Sequence, residues 1–373
     1  MLDILYYIIA AVAGAGLGCG ITYFLRHRKS GLEERERKYF LRGAYLLLEE
    51  KWDDAVDEFS KIAQTDSDKP DLYFVLGRLF RRKAAYERAI QVHQDLIMRS
   101  SLDKNTRLKA QYELALDYRD AGMLKRSQKT FEEIIKISPQ WGQAYRELAA
   151  LALLNHDWKQ ARVQYQRLQE VSGKKDLKLY GHLYAAQALD LLEDSNVDEA
   201  LKLLKRSLGK SESGAHVYYA FSRAHAAQGL SQEAFRALVE AIDVQPQAAW
   251  IILPEIKRQA ELFNSIEEYD SYLFRMIEEG RRPAHAFKLA QAERFIEKGE
   301  EQSALDILNH LARLNVSYPP FVKTASRMGI MPENGFEEGS SYWKCSNCGH
   351  KMPALDWHCP SCLKWDTYFP EVK

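Results

Sequence analysis

The sequence has no surplus of charge: its 373 residues carry 52 Lys and Arg against 52 Asp and Glu. A chain without a net field has no long-range attraction for a polyanion, which argues against nucleic acid as its partner. Turn formers are scarce, at 20 Gly and 11 Pro, so an all-β chain rich in tight turns is disfavoured and helices are the default. Cysteine, at five, is too rare for a disulfide scaffold of this length. Catalytic signatures are missing too. There is no HExxH and no GxSxG, and Gly209-Lys210-Ser211 lacks the leading glycine of a phosphate loop because Leu204 stands in its place. The ten histidines are scattered along the chain. These absences speak against an enzyme.

What is present is apolar residue, 46% of the chain, and it is unevenly spread. Residues 4–25 run for 22 positions without a charge, long enough as a helix to cross a hydrocarbon core of about 30 Å. Only Asp3 precedes the run, whereas Arg26, His27, Arg28 and Lys29 follow it. A cleaved signal peptide has the opposite order. Positive residues stay cytoplasmic, so the reading is a single-pass membrane anchor with the N-terminus facing out and nearly the whole protein facing the cytoplasm. Gly14, Gly16, Gly18 and Gly20 lack the preceding strand of a dinucleotide loop. On a helix Gly14 falls with Gly18 and Gly16 with Gly20, a face on which a second transmembrane helix can approach closely. Glycines merely tolerated in a spanning helix are the alternative, and Cys19 reads as packing.

From about residue 36 to 318 the chain repeats with a period near 34, the length of a tetratricopeptide helix-turn-helix. Small residues mark the first helices at Gly43, Gly77, Ala115, Ala149, Ala188, Ser222 and Ala292. Twelve positions on, Ala55, Ala89, Ser127, Ala161, Ala200, Ala234 and Ala304 mark the second helices. Phe59, Phe131, Tyr165, Leu204, Leu238 and Leu308 then follow by four. Small residues where two helices cross let the backbones approach, and the large ones fill the adjacent hole. The spacing leaves room for one degenerate repeat around residues 250–280, giving about eight. The expected fold is all-α: a tetratricopeptide superhelical solenoid, since one repeat cannot bury its faces alone.

On a helical wheel the positions opposite the core stripe form a second face. It carries Phe74, Arg78 and Arg81, then Tyr112 and Arg119, then Arg146, then His182, then His216, Tyr219 and Arg223. Basic residues interleaved with aromatics suit an acidic or carboxyl-bearing segment of a partner, so Phe74, Arg78, Arg81, Tyr112, Arg119, Arg146, Tyr219 and Arg223 are candidate partner-binding residues. A merely solvated face is the alternative.

The other four cysteines, Cys345, Cys348, Cys359 and Cys362, form two CxxC pairs separated by ten residues. Each pair makes a turn with converging thiolates, and four sulfurs close a tetrahedron around one ion, a structural site without an open position for water. Zinc and iron both remain open, because rubredoxin-like sites hold iron on similar pairs. His350 and His358 adjoin the cysteines and are alternative ligands. About thirty residues cannot fold on apolar burial alone, so the metal is expected to hold this small zinc-ribbon knob together. Tyr342, Trp343, Trp357, Trp365, Tyr368 and Phe369 are expected to form an apolar shell, part of it docked on the last repeat. The boundaries read as an anchor over 1–25, a charged linker over 26–35, repeats over 36–320, a linker over 321–341 and a rubredoxin-like metal-binding domain over 342–373.

The order of parts, the run YWKCSNCGHKMPALDWHCPSCLKWDTYFP over residues 342–370 and GRLFRRKAAYERAIQVHQDL over 77–96 resemble the lipopolysaccharide assembly protein B, or YciM, family of Gram-negative bacteria. The resemblance covers the whole chain, and its specific elements are the order of parts and the tail motif. It implies a non-enzymatic inner-membrane adaptor that presents the lipid A deacetylase LpxC to the membrane protease FtsH, with an inner-membrane lipopolysaccharide-sensing protein as a further partner. A homodimer is compatible with it. A membrane-anchored scaffold for another envelope-assembly complex and a rubredoxin-like electron carrier are the other readings.

Overall fold

The computed structural model describes residues 34–63, 69–208, 214–314, 316, 318–331 and 342–369. The expected anchor over residues 4–25, Gly14, Gly16, Gly18, Gly20 and Cys19 lie outside them. Among the described residues no helix is long and apolar enough to cross a membrane.

Helices follow one another in pairs. They are α1 (34–48) with α2 (Trp52–Ala63), α3 (Pro70–Arg82) with α4 (Tyr86–Met98), α5 (Lys104–Asp120) with α6 (Leu124–Ile137), and α7 (Gly142–Leu154) with α8 (Trp158–Ser172). Then come α9 (Leu177–Glu193) with α10 (Val197–Leu208), α11 (Ala215–Ala227) with α12 (Ser231–Val244), α13 (Ala249–Leu262) with α14 (Ile266–Glu278), and α15 (Ala284–Lys298) with α16 (Glu301–Arg313). The degenerate stretch around 250–280 is thus a complete pair. A further helix, α17 (Pro319–Arg327), occupies the start of the segment read as a linker, so that boundary is corrected: residues 321–327 are helical. Two strands, β1 (Trp343–Lys344) and β2 (Lys351–Met352), pair antiparallel with Trp343 opposite Met352.

Local chemistry explains where these helices begin and end. The Asp103 carboxylate accepts from the Asn105 and Thr106 amides at the start of α5, and Asp157 and Asp176 cap α8 and α9 in the same way. Pro70 and Pro319 open α3 and α17, where a missing N–H costs nothing. Gly173 and Gly299 end α8 and α15 with positive φ.

The small-residue code is the core. Ala55, Ala89, Ala115, Ala149, Ala161, Ala188, Ala200, Ala234, Ala292 and Ala304 are fully buried, as are Phe131, Leu204, Leu238 and Leu308 in the holes. Serine serves the same purpose at position 127, its hydroxyl donating to the Ala115 carbonyl at 2.8 Å across the helix crossing. The chain divides into two compact units, Met1–Ala144 and Tyr145–Lys373. Ala55, Phe59, Leu72, Leu76, Phe80 and Ala89 form one cluster in the first. In the second, one continuous core runs from Leu238 through Trp250, Tyr269 and Phe287 to Trp343, Trp357 and Tyr368 of the tail.

Candidate metal centre and its seat on the repeats

Each CxxC pair folds into the same turn. The Cys345 amide donates to the His350 carbonyl at 2.8 Å and the Gly349 amide to the Cys345 carbonyl at 2.9 Å. In the second turn the Cys359 amide donates to Lys364 and the Leu363 amide to Cys359, both at 2.8 Å. Closing such a turn demands a positive φ. Gly349 supplies 76° at no steric cost, whereas Leu363 is held at 58°, a left-handed conformation that an L side chain adopts only under constraint.

The four sulfurs converge. Cys345 Sγ is 3.7 Å from Cys362 Sγ, Cys348 Sγ is 3.7 Å from Cys359 Sγ, and all four lie within 4.8 Å of one another. A tetrahedron with metal–sulfur bonds of about 2.3 Å has edges of about 3.8 Å, so the donor set fits one ion held by four thiolates. His350 and His358 are not in this group. The His358 ring is buried against Trp158 and Trp365 instead. Burial raises the Cys345 thiol, but the Thr367 hydroxyl and the Cys348 and Asn347 amides outweigh it and bring it to about 6, while burial pushes Cys362 up to about 11. Four neighbouring thiolates repel one another, and a bound cation lets all of them ionise. The Tyr368 hydroxyl donates to Cys359 Sγ at 3.4 Å.

The knob is seated on the repeats by its aromatic residues. The Trp357 ring lies on His216 of α11, centroids 4.6 Å apart, and the Trp365 ring on His182 of α9 at 4.7 Å. Between them Asp366 Oδ2 accepts from Lys178 Nζ at 2.8 Å and lies 3.2 Å from His182 Nε2. Burial alone would raise Asp366, yet these hydrogen bonds bring it down to about 2. On the other side Trp343 stacks on Tyr318 and meets Trp250 edge-on. The expectation placed part of this shell on the last repeat; the seat reaches back to Trp158 of the fourth repeat and to the fifth and sixth repeats.

This seating changes the reading of the second face. Tyr219 packs on Trp357 at 5.7 Å, and Arg223 donates to the Tyr219 hydroxyl at 3.3 Å and pairs with Glu255. Both are engaged within the fold. In the first unit Arg78 Nε donates to Glu113 Oε1 at 2.8 Å, and Arg81 donates to Glu113 Oε2 and Asp117 Oδ1, each at 2.7 Å. Asp117 Oδ2 in turn meets His93 Nδ1 at 2.5 Å. Glu113, Asp117 and His93 are all buried in the seam between the second and third repeats; Arg81, 14% exposed, spends its charge on them, while Arg78 reaches Glu113 from the rim and stays 53% exposed. Burial would raise Glu113, but the two arginines hold it below the usual carboxylate range. Phe74 is buried with Lys109 over its ring, Tyr112 lies edge-on to Phe131, Arg119 donates to Asp120, and Arg146 is exposed.

Glu113, Asp117 and His93 had not been singled out, although a signal was there: His93 stands four positions after Ala89, where the other repeats named above place Phe, Tyr or Leu. Its ring lies against Gly77, where an added Cβ would come within 2.3 Å of Cε1.

Residues 335–368 match the family described as the rubredoxin metal binding domain. Lipopolysaccharide assembly protein B of Escherichia coli strain K12 is 25% identical over 391 residues, spanning 99% of this chain and 98% of that protein. The chain is similar along its whole length to lipopolysaccharide assembly protein B. The Haemophilus influenzae member is 21% identical, again over 99% of this chain and 98% of its own length. Among solved structures, a tetratricopeptide repeat protein from Parabacteroides merdae aligns over 79% of this chain and 99% of its own at 9% identity and a TM-score of 0.35. In this chain the four cysteines converge on one point, and Trp357, Trp365 and Asp366 beside them contact the repeats.

Proposed function

We propose that this chain is a non-enzymatic inner-membrane adaptor that restrains lipopolysaccharide synthesis by presenting the deacetylase LpxC to the protease FtsH. The observation that carries the reading is the end-to-end match to family members, from the expected anchor to the last cysteine pair. Residues 1–25 anchor the chain, which confines it to the plane of the protease and raises the effective concentration of one for the other. The repeats hold the client; the first-unit stripe, with Arg78, Tyr112 and Arg119, is where we place that contact. The metal, zinc or iron, holds the two CxxC turns together, and the chain's own part is to fix Trp357, Trp365 and Asp366 against α9 and α11. An inner-membrane lipopolysaccharide-sensing protein meets the anchor on its Gly14 to Gly20 face.

Affinity capture of the full chain from detergent-solubilised membranes, read by mass spectrometry, tests this reading. LpxC and FtsH are the expected companions. Their absence, with another envelope-assembly complex in their place, would favour the general scaffold; a red, iron-loaded protein with a redox partner would favour the electron carrier.

A further inference from the structure

Helix α1 has two unlike faces. Gly43 packs on the Phe59 ring, and Tyr39, Leu46 and Leu47 join the first core cluster. On the opposite side Leu41, Tyr45 and Leu48, spaced by four and three residues, share one face and are 58%, 59% and 85% exposed. A terminal repeat needs a polar outer surface to stay soluble, and beyond Glu34 at its start this one carries an apolar stripe.

The residues beside that face say what covers it. Arg37 and Lys38 are exposed and lie on either side of the stripe on a helical wheel. Residues 26–42 hold seven Lys and Arg against three Glu, in a chain that is neutral as a whole. Eight residues separate the uncharged run from α1, a reach of at most about 30 Å. An apolar stripe flanked by cations, tethered this closely behind an anchor, is the pattern of a helix lying in a bilayer interface.

We propose that α1 lies along the anionic cytoplasmic face of the membrane, with Leu41, Tyr45 and Leu48 among the upper acyl carbons and Arg37 and Lys38 on lipid phosphates. The proposal rests on anchoring by residues 4–25. It makes the first repeat a membrane-bound end of the stack, which fixes the repeats at the bilayer surface.

The test uses the full chain in lipid nanodiscs of phosphatidylcholine with one quarter phosphatidylglycerol, carrying an environment-sensitive fluorescent amino acid in place of Leu48 or, in a second variant, Leu41. Emission is expected to shift to the blue and to be quenched severalfold by lipid brominated near the headgroup, whereas the same probe at exposed Leu262 is not quenched. Arg37→Glu with Lys38→Glu should at least halve the quenching while leaving the melting temperature unchanged. A chain that elutes with the discs but keeps position 48 in water would overturn the proposal alone. So would a dry but unquenched probe whose signal depends on protein concentration, the mark of a second copy. A chain that elutes apart from the discs would overturn the anchoring and the proposal together.

Discussion

The imidazole of His216 lies on the indole of Trp357, with centroids 4.6 Å apart and planes 16° from parallel. This contact joins a repeat helix to a residue two positions before Cys359, so the metal knob and the repeats share one core.

Trp357→Ala should therefore unseat the knob without emptying it. A buried tryptophan cut to alanine costs about 3–5 kcal/mol. The four cysteines are untouched, so metal analysis should still find one ion per chain, while hydrogen exchange in α9 and α11 rises. Cys345→Ser with Cys348→Ser should do the reverse first, abolishing metal binding and then the seat. Loss of metal in Trp357→Ala would mean that the site does not hold together without its seat.

Gly77→Ala should be costly for a change of one methyl group. The new Cβ would meet the His93 ring, which the Asp117 carboxylate holds in place. Overpacking of this kind costs about 1–3 kcal/mol. A melting temperature equal to wild type would mean that the His93 ring yields freely.

Arg81 is a half-buried counterion to two buried carboxylates of the first unit. Arg81→Ala leaves Asp117 and Glu113 short of a cation and should cost about 3–5 kcal/mol, whereas exposed Arg146→Glu should change stability by no more than about 0.5 kcal/mol. Glu113 is held below its ordinary value of 4.5, so its contribution is full above that pH and fades as the pH falls through the lowered value. The acid limb of a stability curve should accordingly be flatter in Arg81→Ala.

His216 acts in the opposite sense. Burial, then neighbouring His182, pushes its imidazole well below 6.5, so it is neutral in the fold but takes up a proton in the unfolded chain as the pH drops below that value. The unfolded state then binds more protons and stability falls. The melting temperature of the second unit should decrease from about pH 7 to pH 5.5, and His216→Phe should flatten that decrease. An equal slope in both proteins would remove His216 as its source.

Much of this was legible because it is local or periodic. A small residue every 34 or so positions, with its partner twelve further on, is a packing rule written into the sequence, and Ala55 and Ala89 are buried accordingly. Two CxxC pairs carry their geometry in their spacing. The seat of the knob was not legible, because His216 and Trp357 are 141 positions apart and no period links them. The wheel was also incomplete at Arg78 and Arg81. It divides a helix into core and solvent, but a helix in a stack has a neighbouring repeat on either side, and the face read as solvent meets Glu113 and Asp117 of α5. Arg81 spends its charge in that seam, whereas Arg78 pairs with Glu113 and remains open to solvent.

Adaptor action is read out in the half-life of LpxC. In Gram-negative cells whose own adaptor is replaced by this chain at native level, LpxC should be short-lived. Its half-life should lengthen several-fold when residues 1–25 are deleted or when Cys345 and Cys348 are serine. A half-life with the intact chain no shorter than with no adaptor at all would contradict adaptor action.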